Sequence, residues 1–86
     1  MHLVKINLRG DHQARLASSE PILTDLIWAH AGQDGGVEHI RVRIRPEAMA
    51  IALFIRVADE SRAHDAAIEL IKRVLDAPAM QGWQLI

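Results

Sequence analysis

Between Ala48 and Ile55 the chain carries eight consecutive residues without a polar side chain. From Met49 to Val57 the odd positions are Met49, Ile51, Leu53, Ile55 and Val57, all large and apolar; the even positions are Ala50, Ala52, Phe54 and Arg56, with Ala48 before them. Eight residues fall far short of the roughly 20 that cross a bilayer. As a strand, the segment is apolar on both faces, which is the pattern of a strand central in its sheet.

The segments around it read in order. Val4, Ile6 and Leu8 alternate with Lys5, Asn7 and Arg9, a half-buried strand broken at Gly10-Asp11. Residues 11–20 read as a loop or a short helical turn, with Asp11 as cap. Pro21 suits the first position of a helix with Glu20 at its cap. Ile22, Leu23, Leu26, Ile27 and His30 then recur at helical spacing, Gly32 is the stop, and Gln33-Asp34-Gly35-Gly36 is a turn. A second strand starts at Val37, where Ile40, Val42 and Ile44 alternate with His39, Arg41, Arg43 and Arg45; Pro46-Glu47 makes a tight connection to the apolar run. Asp59 caps a second helix with the stripe Ala63, Ala67, Leu70, Ile71 and Val74, bordered by Ala66 and Leu75, which ends at Asp76-Ala77-Pro78. Trp83-Gln84-Leu85-Ile86 closes the chain as a short strand.

The order β-α-β-β-α-β resembles the split βαβ arrangement of ferredoxin-like folds. Right-handed crossovers then give an α+β domain with a four-stranded antiparallel sheet of order 4-1-3-2 and both helices on one face. The apolar third strand falls at a central position, as its composition demands. Residues 1–86 are expected to form a single domain, since domains centre on about 100–150 residues.

Composition removes several classes of function. The chain has no cysteine, which excludes a disulfide scaffold and a thiolate nucleophile or metal ligand. The formal charge of −1 excludes a globally basic nucleic-acid binder but not a local basic face. No basic segment followed by a long apolar one opens the sequence, so a cytoplasmic location and no membrane partner are expected. No His-Glu-x-x-His, GxGxxG or GxxxxGK pattern occurs, and Glu60 with His64 at i, i+4 supplies only two ligands. Neither a metal, a cofactor nor a catalytic residue is expected, and the reading leans away from an enzyme.

What stands out is the distribution of the cations. The face away from the helices collects Lys5, Asn7, Arg9, His39, Arg41, Arg43, Arg45, Phe54 and Arg56, which include six of the ten Lys and Arg residues. No carboxylate occupies those alternating positions. Rows of arginine suit bidentate contact with carboxylate or phosphate. Arg9, Arg41, Arg43, Arg45, Phe54 and Arg56 are therefore the candidate binding residues, joined by Trp28, which falls opposite the first helix's apolar stripe and could anchor a partner or a second copy. His30, in the apolar arc near that helix's end, and His39 are candidates for a pH-sensitive or ligand-holding group. The function expected is a small non-enzymatic interaction module that recognises an anionic partner surface through protein–protein contact, with a homodimer as one form of it. The alternatives are single-stranded nucleic-acid binding through the same face, or a dimeric ligand-binding or enzymatic domain with a pocket near His30 or His39.

Overall fold

Alternation along the first segment builds β1 (His2–Gly10), with Val4, Ile6 and Leu8 turned to the core and Lys5, Asn7 and Arg9 exposed. The structure, a computed structural model, describes residues 1–32, 36–46 and 48–86; the turn read at Gln33, Asp34 and Gly35 and the connection read at Glu47 lie outside the described residues. Two short helices follow β1: α1 (His12–Ala17) and the longer α2 (Glu20–Ala31). β2 (Val37–Ile44) and β3 (Met49–Ile55) come next, then α3 (Glu60–Leu75), a 3-10 turn at Pro78–Met80 and β4 (Trp83–Leu85).

The sheet is antiparallel throughout, with strand order β2-β3-β1-β4. This is the expected 4-1-3-2 order read from the other edge. The apolar run is β3, at one of the two central positions. Its odd residues Met49, Ile51, Leu53 and Ile55 are buried beneath the helices, with Ile40 and Val42 of β2 and Val4, Ile6 and Leu8 of β1 beside them. From the helices come Leu23, Ile27 and Ala31 of α2 and Ala63, Ala67, Leu70, Ile71 and Val74 of α3. One core cluster holds all of these. Asp59 caps α3 by accepting a hydrogen bond from the Arg62 N–H at 2.8 Å.

Three details depart from the sequence reading. Among the described residues there are three α-helices rather than the two expected, because residues 12–17 wind into α1. Asp11 caps it, accepting from the Ala14 N–H at 2.7 Å, and Ala14 is buried. The cap of α2 is Ser19, so that Glu20 sits in the first turn, where the helix dipole favours a carboxylate. The buried stripe of α2 is Leu23, Ile27 and Ala31; Ile22 is exposed, and Leu26 and His30 lie at the stripe's border rather than in the middle of the arc. Gly32 ends α2 with φ of 70°, a left-handed conformation that glycine adopts without strain.

The corner between α1 and β4 is built on Trp83. Its ring is buried and lies flat against Gly10, where a Cβ would stand 2.6 Å from the ring. Its Nε1–H donates to Ser18 Oγ at 3.0 Å, and that hydroxyl donates to the Ala14 carbonyl at 2.6 Å. Arg15 closes the corner from the other side, donating to the Gly10 carbonyl at 2.8 Å.

Candidate functional site

Three rows of side chains cross the open face of the sheet. The strand registers put Leu3, Phe54 and His39 in one row, Lys5, Ala52 and Arg41 in the next, and Asn7, Ala50 and Arg43 in the third. Alternate residues of a strand share a face, so these nine stand opposite the core. The middle column belongs to β3, and its two alanines end at Cβ. They floor a trench of about 210 Å³ walled by Lys5 and Asn7 on one side and Arg41 and Arg43 on the other. Its walls stand two strand spacings apart, roughly 9–10 Å. At one end the His39 and Phe54 rings lie with centroids 5.5 Å apart, tilted 57°, beside the half-exposed Leu3.

The charges are unevenly answered. Among the described residues Lys5, Arg9, Arg41 and Arg45 form no ion pair. Arg43 reaches Glu20 at 3.8 Å, and Arg56 pairs with Glu38. Both arginines are exposed, so each pair contributes little to stability and is easily exchanged for another anion. The second oxygen of Glu20 accepts from the Ile44 N–H at 2.7 Å. This carboxylate from α2 thereby covers part of the sheet edge at β2, where free backbone groups invite pairing with another chain.

The trench thus gathers Arg41 and Arg43 among the residues singled out from sequence, and Phe54 and His39 stand in the row beyond its end. Arg9 lies further along β1, opposite Gln84 of β4. Arg45 falls just past the end of β2 and Arg56 just past the end of β3. Trp28 and His30 belong to α2, across the sheet. Trp28 is 41% exposed on that helix; Ile22, also exposed, stands six residues earlier and so about 120° away around the helix axis. His30 donates from Nδ1 to the Leu26 carbonyl at 3.0 Å, the only sense open to a carbonyl acceptor.

Sequence reasoning passed over the floor itself. Ala50 and Ala52 are what turn a basic face into a trench, and their signal was present in the alternation of alanine with large residues along β3. The two carboxylate partners were harder to find. Glu20 comes from a helix, and Glu38 sits at a shift in the β2–β3 register between Val37 and His39.

A larger groove of about 380 Å³ lies between α1, the start of α2 and the 3-10 turn. Two of its polar side chains, Asp11 and Ser18, are already bonded within the fold. Among the described residues no three His, Asp or Glu side chains stand together as a metal site. No described helix is long and apolar enough to cross a membrane. The trench offers cations and methyl groups, and among the described residues that line it there is neither a carboxylate nor a hydroxyl. No family model, curated protein or solved structure matches this chain.

Proposed function

We propose that the chain is a small, non-enzymatic interaction module of ferredoxin-like architecture that recognises an anionic protein surface through its open sheet face. The observation that carries this reading is the row Lys5–Ala52–Arg41, in which cations that form no ion pair among the described residues flank a floor too short to keep a ligand away from them. Guanidinium groups held by strands present planar donor pairs to carboxylates. An apolar floor between them strengthens the attraction by keeping water out. Single-stranded nucleic acid is the weaker alternative. Sheets that bind it stack bases on two or three aromatic rings, whereas this face has Phe54 and His39 at one end and alanines in the middle. A ligand pocket at His30 is also less favoured, because its Nδ1 is bonded to a backbone carbonyl. Self-association through the trench would set cation against cation. The exposed Trp28 ring on α2 is the better place for contact with a second copy.

Fluorescence anisotropy with a labelled oligoglutamate at low salt tests the reading. Lys5, Arg41 and Arg43 are exposed, so replacing all three by alanine should leave the circular dichroism spectrum unchanged. Affinity for oligoglutamate should fall by at least about tenfold, the equivalent of 1.4 kcal/mol. Undiminished binding by the triple variant would sink the proposal. Tighter binding of oligothymidylate than of oligoglutamate would replace it with the nucleic-acid reading.

A further inference from the structure

The three long strands do not treat water alike. Apart from Leu3, the outward positions of β1 and β2 carry Lys5, Asn7, Arg9, His39, Arg41 and Arg43, the polar-out pattern of a sheet with one solvated face. β3 lies between them and carries no polar residue from Met49 to Ile55. Its outward residues Ala50, Ala52 and Phe54 are half-buried by their neighbours, yet no described element lies over them. The pattern is that of a strand covered on both sides, and the missing cover is one strand wide.

We infer that the occupant of the trench is an amphipathic α-helix of a partner protein, with a stripe of small and apolar residues against Ala50 and Ala52 and carboxylates on both flanks. This inference rests on the reading of the face as a site for an anionic protein and adds the form of the partner. Backbone chemistry selects a helix. A peptide laid extended along the trench could give its C=O groups to the cations of the walls, but its N–H groups would press against alanine methyls with Asn7 as the one side-chain acceptor among the described lining residues, and a buried unpaired N–H is expensive. Strands join a sheet at its edge, where backbone meets backbone. A helix satisfies its own N–H and C=O groups, and its diameter of about 10–12 Å suits walls roughly 9–10 Å apart that end in flexible side chains.

Charge then sets the flanks. Lys5 stands on the β1 side, Arg41 and Arg43 on the β2 side. Carboxylates on both borders of the stripe would meet them together, and Glu20 would release Arg43 at little loss. From the row of Leu3 to the row of Asn7 the trench runs about 13 Å, which is between two and three helical turns. At the Leu3 end, the Phe54 ring and the exposed Leu3 add apolar contact area beyond the alanines.

Four probes, read by anisotropy, test the helix: a designed peptide of about 18 residues, five turns, with an alanine and leucine stripe flanked on both sides by glutamate; the same peptide with a central proline; the same peptide with lysine for glutamate; and oligothymidylate. The helical acidic peptide should bind at least about tenfold tighter than its proline-broken counterpart, a gap of 1.4 kcal/mol, and the lysine peptide should not bind. Ala52→Phe, whose ring fills the trench without changing its charge, should reduce binding of the helical peptide by a similar factor. Equal binding of the two acidic peptides would overturn the helix while leaving recognition of anionic proteins intact. Equal binding of the lysine peptide, or binding of oligothymidylate alone, would overturn both. The peptide series uses the unaltered chain, so it discriminates even where Ala52→Phe folds poorly.

Discussion

Trp83→Ala is expected to destabilise the domain by about 3–5 kcal/mol, in the range for losing a large buried aromatic. Three structures depend on this one ring. It is 6% exposed, it seats β4 against Gly10, and through Ser18 it ties α1 to the sheet. Its loss leaves a cavity at the end of β1 and removes the donor that Ser18 Oγ accepts from. A chain of 86 residues has total stability of order 4–13 kcal/mol at the usual 0.05–0.15 per residue. The loss is therefore a large fraction of the whole, and each kcal/mol lowers Tm by about 4–8 °C in a domain of this size. Urea unfolding followed by circular dichroism measures it. A loss below about 1 kcal/mol, the level of an ordinary surface or mild substitution, would mean that the corner is dispensable.

Leu53→Ala should cost about 2–5 kcal/mol, while Ala52→Thr, one residue away, should stay within about 0.5 kcal/mol of the parent. Leu53 is fully buried between sheet and helices. Ala52 faces the trench, where the β-branched threonine suits a strand and meets no core atom. The contrast separates the two apolar faces of β3. One belongs to the fold of this chain, and the other is the face proposed to meet a partner. The same urea titration reads both variants. If Ala52→Thr proved as damaging as Leu53→Ala, the outward residues of β3 would be serving stability rather than recognition.

Period and composition located much of this in advance. Alternation of two marks β1 and β2 because each has a single buried face, so polar and apolar residues must alternate. The unbroken apolar run from Ala48 to Ile55 marks β3 as central because an edge strand would expose it. What stayed hidden depended on contacts distant in sequence. Asp11 signals a cap, but α1 is seated by Trp83, which bonds Ser18 across 65 positions. Trp28 and Trp83 carry similar local signals; only the packing separates the exposed ring from the buried one. The breadth of the apolar arc in α2 also misled. With Ile22, Leu23, Leu26 and Ile27 all apolar, the stripe that faces the sheet is set by which residues meet β2 and α3, and that choice put Ile22 outside. For the candidate site, the cations could be read from alternation, whereas the trench could not. Its shape comes from short side chains on the middle strand, and the neutralisation of Arg43 and Arg56 comes from Glu20 and Glu38, which lie off the alternating pattern.

Amide chemical-shift mapping of the isotope-labelled protein during titration with oligoglutamate tests the central claim most directly, since it asks where an anionic chain sits without altering any residue. Recognition through the open sheet face requires the largest shifts at Lys5, Asn7, Arg41, Arg43, Ala50 and Ala52, fading as salt is added. Shifts gathered instead on α2 around Ile22 and Trp28, with the three rows of the sheet unmoved, would contradict it.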